Sequence, residues 1–135
     1  MAMNEDYVSY ELALKLKACG FDEPCDSYYD KACAADDEYW HTKREELINW
    51  NGLDSDCQIS APTLWHAQKW LRSKGIDIEP HMELVGAKRK YRLVLLPLGH
   101  EVSYGKLHPS YEEALEAGIE AALIIIEIDN KKHNN

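Results

Sequence analysis

Residues 60–75, SAPTLWHAQKWLRSKG, contain the clearest helix pattern in the chain, and the other segments can be placed around it. Ser60 is typical of an N-cap, because its hydroxyl can accept a hydrogen bond from a free amide of the first turn. Pro62 would lie in that first turn, where the missing N–H costs nothing. Gly75 can adopt the left-handed conformation that ends many helices. The stretch therefore predicts a central helix between Ser60 and Gly75.

Helical spacing divides this stretch into an apolar face and a polar face. The apolar face, which we predict to be buried, consists of Leu64, Ala67, Trp70 and Leu71. Trp65 points away from that face, to the side of Lys69 and Arg72, because consecutive residues are about 100° apart. One interpretation is that Trp65 packs under the preceding loop, on Trp50 or Pro62, because large aromatic side chains are mostly buried. The alternative is that Trp65 and the two cations form a surface for stacking or cation–π contacts.

Two further helices are predicted, one on each side of the central helix. The first covers residues 10–19, begins after Ser9 as N-cap and ends at Gly20. The second covers residues 111–126 and begins with a capping box, in which Ser110 is followed three positions later by a glutamate. Small residues in the middle of its apolar face would allow close approach to a sheet or to another helix.

Alternating apolar residues follow the central helix and predict two strands. Residues 76–84 form one bent strand, in which Pro80 marks a break or an edge position. Residues 91–96 form the second strand of a hairpin, and residues 86–90 form the connecting loop. Because residues 91–96 are apolar on both faces near their end, we predict that this strand is central in its sheet. Residues 102–106 add a short extended piece.

The segment between the first helix and the central helix allows more than one assignment. Residues 26–30 predict a short strand with two adjacent tyrosines. Residues 31–47 are rich in charge and indicate either an exposed loop or a short surface helix over residues 36–46. Residues 48–50 could form a strand that returns beside the two tyrosines.

Together these elements predict an α+β fold, in which a small antiparallel sheet of three or four strands packs against two or three helices. The length of 135 residues fits a single domain, 1–135, with flexible ends at about 1–7 and 129–135. The predicted core consists of Leu12, Leu16, Phe21, Leu64, Ala67, Trp70, Leu71, Ile78, Leu93, Leu95, Leu115, Ala121 and Ala122.

The net charge of −9 argues against a protein that covers nucleic acid with its whole surface. The charge is uneven, because residues 69–92 contain seven cations and three acids, a net charge of +4, and the rest of the chain carries −13. The N-terminus lacks the basic and apolar regions of a signal peptide. No apolar run approaches the roughly 20 residues of a membrane span. We therefore expect a cytoplasmic protein that does not contact a membrane.

The four cysteines and six histidines are scattered along the chain. A zinc site can be drawn from Cys25, Cys33, His41 and Cys57, but its spacings match no zinc motif. No two of the cysteines, Cys19, Cys25, Cys33 and Cys57, form a Cys-x-x-Cys pair, and a cytoplasmic location disfavours disulfides. We therefore expect free thiols, no metal and no cofactor.

Three segments of the chain have distinctive amino-acid sequences and occur in a distinctive order. They are VSYELALKLKACGFDEPC, SAPTLWHAQKWLRSKGIDIE and SYEEALEAGIEAALIII. In these blocks the chain resembles a family of small uncharacterised proteins of bacteriophages, prophages and gut Bacteroidetes. The resemblance implies an α+β domain and a mobile-element origin. It implies no activity, substrate or catalytic residue.

The sequence contains no Gly-rich phosphate loop, no G-x-S-x-G nucleophile elbow and no H-E-x-x-H motif. We therefore predict that the protein is not an enzyme. The first hypothesis is an interaction module that binds another protein or a second copy of itself, through an edge strand or the small-residue helix.

The alternative hypothesis is an accessory protein that contacts nucleic acid through a local basic surface. The candidate residues are Trp65, Lys69, Arg72, Lys88, Arg89 and Lys90. The last three lie at the tip of the predicted hairpin, where cations can follow phosphates. The first three combine an aromatic ring with cations, which is typical of a platform for single strands. A charged hairpin tip is more often a solvated turn, so this hypothesis ranks second.

Overall fold

The computed structural model describes residues 6–31, 39–53, 57–97 and 102–133. The backbone divides into two compact units, Met1–Thr63 and Leu64–Asn135. Each unit has a three-stranded antiparallel sheet, and the described residues form three α-helices. The predicted α+β class is confirmed, with the strands divided between two sheets instead of joined in one. The single domain over residues 1–135 stays a prediction.

The first unit contains one helix and one sheet. Its elements are α1 (Tyr10–Ala18), β1 (Cys25–Lys31), β2 (Tyr39–Ile48), a 3-10 turn (Trp50–Gly52) and β3 (Gln58–Ser60). The strand order is β2-β1-β3, and both strand pairs are antiparallel. Tyr7, within the predicted flexible start, forms an isolated bridge with Thr63.

Helix α1 has the boundaries that its capping residues predict. The Ser9 hydroxyl accepts a hydrogen bond from the Leu12 N–H at 3.2 Å, which satisfies a free amide of the first turn. Gly20 follows the helix with a φ of +94°, a conformation that favours glycine. The Phe21 N–H then donates to the carbonyl of Leu16 at 2.9 Å. Both of these apolar side chains are buried.

Residues 39–48 form strand β2, so the prediction of a loop or a short helix over residues 36–46 was wrong for this part. Residues 36–38 lie outside the described residues. The strand pairs with β1 in a register that places Thr42 opposite Tyr28. As an outer strand, β2 can carry many charged side chains, which deter association between sheet edges. The same charges hide the alternation by which a strand is recognised in a sequence.

The prediction that residues 48–50 form a strand beside Tyr28 and Tyr29 was wrong, because Thr42 and His41 of β2 lie opposite these tyrosines. Ile48 is the last residue of β2 and pairs with Cys25. Trp50 begins the 3-10 turn, where its Nε1–H donates to the Cys25 carbonyl at 3.0 Å. This hydrogen bond holds the turn against β1.

Ser60 is not the N-cap of the central helix, contrary to the prediction. Helix α2 covers Leu64–Ser73, and Ser60 is the last residue of β3. The Ser60 hydroxyl accepts from the Asn51 N–H at 3.1 Å, and the Ser60 N–H donates to the Asn51 side-chain oxygen at 2.9 Å. This reciprocal pair uses the hydroxyl that an N-cap would need. The predicted helix end is confirmed, because Gly75 follows α2 with a φ of +91°.

The second unit contains two helices and the second sheet. Its elements are α2 (Leu64–Ser73), β4 (Ile76–Val85), β5 (Lys88–Pro97), β6 (Val102–His108) and α3 (Tyr111–His133). The strand order β4-β5-β6 makes β5 central, as predicted. Pro80 lies inside the continuous outer strand β4, so it marks an edge position and not a break.

The turn between β4 and β5 is tighter than predicted. Val85 pairs with Lys88, so only Gly86 and Ala87 connect the two strands. Gly86 has a φ of +64°, which a two-residue hairpin turn commonly requires at this position. The basic residues 88–90 therefore belong to strand β5 and not to a loop.

The helices of the second unit pack on its sheet through small and polar residues. A β-carbon at Gly118 of α3 would lie 2.5 Å from Ile78 Cγ2 and 2.7 Å from Leu93 Cδ1, so only glycine allows this approach. Helix α2 contacts β4 and α3, and its Gln68 donates from Nε2 to the Ile78 carbonyl at 2.8 Å. Helix α3 continues to His133, well past its predicted end.

The predicted core residues are buried, with one exception: Ala121 is half-buried. The sequence analysis did not include Ile119 and Leu123, which extend the buried face of α3. Apolar periodicity therefore located the cores of both units.

Candidate binding surface

One face of the second unit's sheet is covered by helices over only part of its length. In an antiparallel pair, residues directly opposite each other lie on the same face of the sheet. Ile78, on the helix-covered face, is buried. Toward the hairpin turn, Met82 and Leu84 continue that face but are 51% and 68% exposed. The apolar face of β4 therefore extends beyond the helices.

Three aromatic rings connect this exposed end to the first turns of both helices. Trp65 of α2 stacks on Tyr111 of α3, with ring centroids 5.5 Å apart and planes inclined by 25°. Tyr111 meets Tyr91 of β5 edge-on, at 5.9 Å and 84°. Tyr91 lies opposite Met82 in the sheet, so the row is continuous. We name Trp65, Tyr111, Tyr91, Met82 and Leu84 the aromatic strip.

Trp65 is the most accessible ring of the aromatic strip. Its side chain is 53% exposed, so the interpretation that it is buried under the preceding loop was wrong. Tyr111 supports one side of the indole, and large rings held rigidly at a surface are common contact residues. The alternative interpretation, a surface for stacking or cation–π contacts, stays a prediction.

Helix α2 contributes two cations to the same exposed side as Trp65. Lys69 and Arg72 follow Trp65 by about one and two turns, and both are exposed. The Arg72 Nε lies 3.8 Å from the carboxylate of Asp77 at the start of β4, which offsets part of its charge. Lys69 is therefore the α2 cation that most directly accompanies Trp65.

The three basic residues of the hairpin do not lie on one face. Side chains alternate along β5, so Arg89, opposite Leu84, lies on the face of the aromatic strip. Lys88 and Lys90 lie on the other face of the sheet. The structure therefore divides the predicted basic surface: Arg89 accompanies the strip, and the two lysines point away from it.

The end of the hairpin is nevertheless positive as a whole. Residues 82–92 contain four cations and one acid, Glu83, a net charge of +3. Glu83 forms an ion pair with Arg92 on the face opposite to the strip. In a chain of net charge −9, this end of the second unit is locally positive and can attract an anionic group.

The sequence analysis identified Trp65 but missed the residues that surround it. These are Tyr91, Tyr111, Met82 and Leu84. A two-residue turn at Gly86 and Ala87 would have revealed part of the strip, because it places Met82 opposite Tyr91. The contact of Tyr111 with both other rings depends on how the helices pack, and no local pattern indicates it.

A serine–histidine pair in the first unit resembles a catalytic dyad, but the hydrogen bond between its two side chains runs in the opposite direction. Ser27 Oγ lies 2.6 Å from the Ala61 carbonyl and 2.9 Å from His41 Nε2. Because the hydroxyl donates its one proton to the carbonyl, His41 donates to Ser27 and does not act as its base. Burial lowers the pKa of His41, which favours the neutral ring. Ser27 is 0% exposed, so the pair is structural.

The residues of the possible zinc site, which include Cys25, make other contacts in the structure. Cys25 is buried, and its thiol donates to the Glu23 carbonyl at 3.5 Å. Burial, with smaller effects of the Asp26 and Glu23 carboxylates, raises the pKa of Cys25 to about 12. Its sulfur is therefore a thiol, whereas zinc binds the thiolate. Cys33 lies outside the described residues, and within them no group of three or more His, Cys, Asp or Glu is arranged to hold a metal.

Each unit also has an open cleft. The cleft of the second unit, about 240 Å³, is lined by Lys74, Ile76, Lys132 and the last isoleucines of α3. The cleft of the first unit, about 500 Å³, is lined mainly by charged residues of β2 with Tyr28 and Trp50. Among the residues that the structure describes, neither lining contains a serine, cysteine or histidine.

No protein-family model, no curated protein and no solved structure matches the chain. The resemblance to phage, prophage and Bacteroidetes proteins therefore stays a prediction that rests on the three sequence blocks. Across the helices that the structure describes, none combines the length and the hydropathy needed to cross a membrane.

Proposed function

We propose that the protein is a non-catalytic, cytoplasmic binding module, of the mobile-element type that the sequence blocks suggest. In this proposal the aromatic strip binds a segment of another protein. The supporting observation is the exposure of Trp65, Met82 and Leu84, which Tyr111 and Tyr91 connect into one strip. Contiguous exposed apolar groups on a folded domain commonly mark interaction sites.

The composition of the aromatic strip favours tight contact at low entropic cost. Tryptophan and tyrosine are the residues that most often dominate binding energy at protein interfaces. Trp65 and Tyr111 already support each other, so little rotamer freedom remains to be lost on binding. Complete burial of one large apolar side chain contributes about 1.5–3 kcal/mol. Burial of Trp65 in an interface is therefore expected to contribute a large share of the binding free energy.

The charge around the aromatic strip favours an acidic partner. The hairpin end carries +3, and Lys69 adds a further cation beside Trp65. A second copy of this chain is less favoured at this place, because two equal hairpin ends would repel each other. The proposed partner is therefore a protein segment that combines apolar and acidic side chains.

The non-catalytic part of the proposal rests on the geometry of the nucleophilic side chains. Ser27 is buried and donates to a backbone carbonyl, and Cys25 is a buried thiol. Neither is activated by a neighbouring base, which nucleophilic catalysis requires.

Nucleic acid is the second candidate partner, and one observation favours it. Trp65 has an accessible ring with Lys69 one turn away and Arg89 on the same face of the sheet. Bases stack on such rings while cations contact the phosphates. The net charge of −9 weakens this candidate, and Lys88 and Lys90 point to the other face.

The proposal is tested with random eight-residue peptides displayed on phage and selected against the purified protein. We expect enrichment of peptides that combine apolar with acidic residues, and a loss of affinity of about tenfold or more in Trp65→Ala. The matched control is Leu47→Ala, which removes an even more exposed apolar side chain from the first unit. Selected peptides that bind Trp65→Ala as well as the wild type would refute the role of the aromatic strip.

The nucleic-acid alternative is tested by titrating tryptophan fluorescence with mixed single- and double-stranded DNA at low and moderate salt. Saturable quenching that weakens with salt and vanishes in the triple variant Trp65→Ala, Lys69→Ala, Arg72→Ala would favour nucleic acid. No change at low salt would exclude it.

A further inference from the structure

The outer edge of strand β4 is open over only half of its length. In a two-residue hairpin the residues that flank the turn form a hydrogen-bonded pair, here Val85 and Lys88. The pairing continues to Ile76 without a register shift. Odd-numbered residues of β4 therefore direct their backbone groups to β5, and even-numbered residues direct theirs outward. The Ile78 carbonyl, which accepts from Gln68, is one of these outward groups.

Two features prevent another strand from pairing with the first half of this edge. The Gln68 amide occupies the outward carbonyl of Ile78 at 2.8 Å, and Gln68 itself is buried. Two residues further on, Pro80 has no N–H to offer. Proline at an outward position is a common way to stop a strand from pairing with another chain. An added strand therefore cannot follow β4 through Pro80.

The second half of the edge, from Met82 to Leu84, has neither of these two features. In the described part of the chain β4 pairs with β5 alone, so the outward N–H and C=O groups of Met82 and Leu84 have no strand beside them. The side chains of both residues belong to the aromatic strip and are more than half exposed. The strip and the open edge therefore coincide at the same two residues.

We propose that the bound protein segment is an extended strand that pairs with the β4 edge at Met82 and Leu84 and forms a fourth strand of the sheet. This inference rests on the proposed function and specifies its mode of recognition. Main-chain hydrogen bonds would supply affinity, and alternate side-chain positions would supply specificity.

The two faces of the sheet determine the sequence pattern of the segment. Side chains on the face of the aromatic strip meet Met82, Leu84 and the rings behind them, and are apolar. Side chains on the other face lie next to Glu83, which is already paired with Arg92, and one strand away from Lys88 and Lys90. Because cations are in excess at this end of the hairpin, these side chains are acidic. The segment therefore alternates apolar and acidic residues, because the side chains of a strand alternate between its faces.

The chain offers a precise backbone variant for the test. Leu84→Pro removes the outward N–H without removing a hydrogen bond to β5, and Pro80 occupies an equivalent position in the same strand. Leu84→Ala shortens the side chain and keeps the N–H, so the difference between the two variants reports the backbone bond. The probes are two octapeptides of equal composition: one alternates glutamate with valine or tyrosine, and the other has four glutamates followed by the four apolar residues.

We expect the alternating peptide to bind about tenfold more tightly than the block peptide, and Leu84→Pro to bind it about tenfold more weakly than Leu84→Ala. Hydrogen exchange should show that the peptide protects the amides of Met82 and Leu84. The control is the thermal transition of Leu84→Pro, which should be the same as that of the wild type if the variant folds normally.

The failure of this inference differs from the failure of the proposed function. If Leu84→Pro and Leu84→Ala bind the peptide equally and neither amide is protected, strand addition is overturned while binding at the aromatic strip remains. If neither octapeptide binds, but peptides selected from the library lose affinity in Trp65→Ala, only the alternating pattern is overturned. If library binding is also insensitive to Trp65→Ala, both proposals fail.

Discussion

At the scale of single residues, buried partners decide what a polar side chain does. Ser60 would cap a helix by its position in the sequence, but Asn51 takes both its hydroxyl and its amide. Ser27 lies beside a histidine yet donates to the Ala61 carbonyl. In both cases a hydrogen bond to a residue distant in the sequence replaces the local role, because a buried polar group must be paired.

Cys25 gives a test at this scale. Burial raises its pKa to about 12, so at pH 8 its thiolate fraction is roughly a thousandfold below that of an ordinary thiol. We expect iodoacetamide to label Cys19, which is half-buried, while Cys25 stays unlabelled until guanidinium unfolds the chain. Peptide mapping by mass spectrometry measures both sites in one sample. Equal labelling rates at Cys19 and Cys25 in the folded protein would contradict this expectation.

At the scale of elements, the approach of α3 to its sheet depends on one missing side chain. Gly118 lies in the middle of a 23-residue helix, where glycine is unfavourable by about 1 kcal/mol relative to alanine. It persists where a β-carbon would lie within 2.7 Å of both Ile78 and Leu93. Packing therefore outweighs helix propensity at this position.

We expect Gly118→Ala to lower the free energy of unfolding by about 1–3 kcal/mol, although alanine favours the helix, because buried Ile78 and Leu93 must move. Chemical denaturation followed by circular dichroism measures the change. Asn130→Ala is the control: it is exposed on the same helix and should change stability by about 0.5 kcal/mol or less. A stabilised Gly118→Ala variant would show that the sheet accommodates the methyl group.

At the scale of the whole molecule, the protein must keep exposed strand edges from joining other copies. The charged outer strand β2 of the first unit and the proline in β4 of the second unit both oppose such pairing. Between Pro80 and the hairpin turn the β4 edge lacks this protection, and this part of the edge coincides with the exposed aromatic strip. An edge that is protected over one half and apolar over the other is typical of selective, not general, strand pairing.

We expect Pro80→Val to increase self-association relative to the wild type, because it restores an outward N–H in the middle of the β4 edge. Sedimentation velocity over a concentration series measures the increase. His81→Val is the matched control, since it adds the same side chain to the same strand at a position whose backbone faces β5. Equal sedimentation of Pro80→Val and the wild type would show that Pro80 does not protect the edge.

The sequence by itself determined the α+β class, the three helices, the central place of β5 and most of the core. These follow from apolar periodicity and capping residues, whose effects act over a few neighbouring positions. Only the tertiary structure decided that residues 39–48 are a strand, that Ser60 bonds Asn51, and that Trp65 is exposed and stacks on Tyr111. These features depend on contacts between residues far apart in the chain, and local propensity carries no information about such partners.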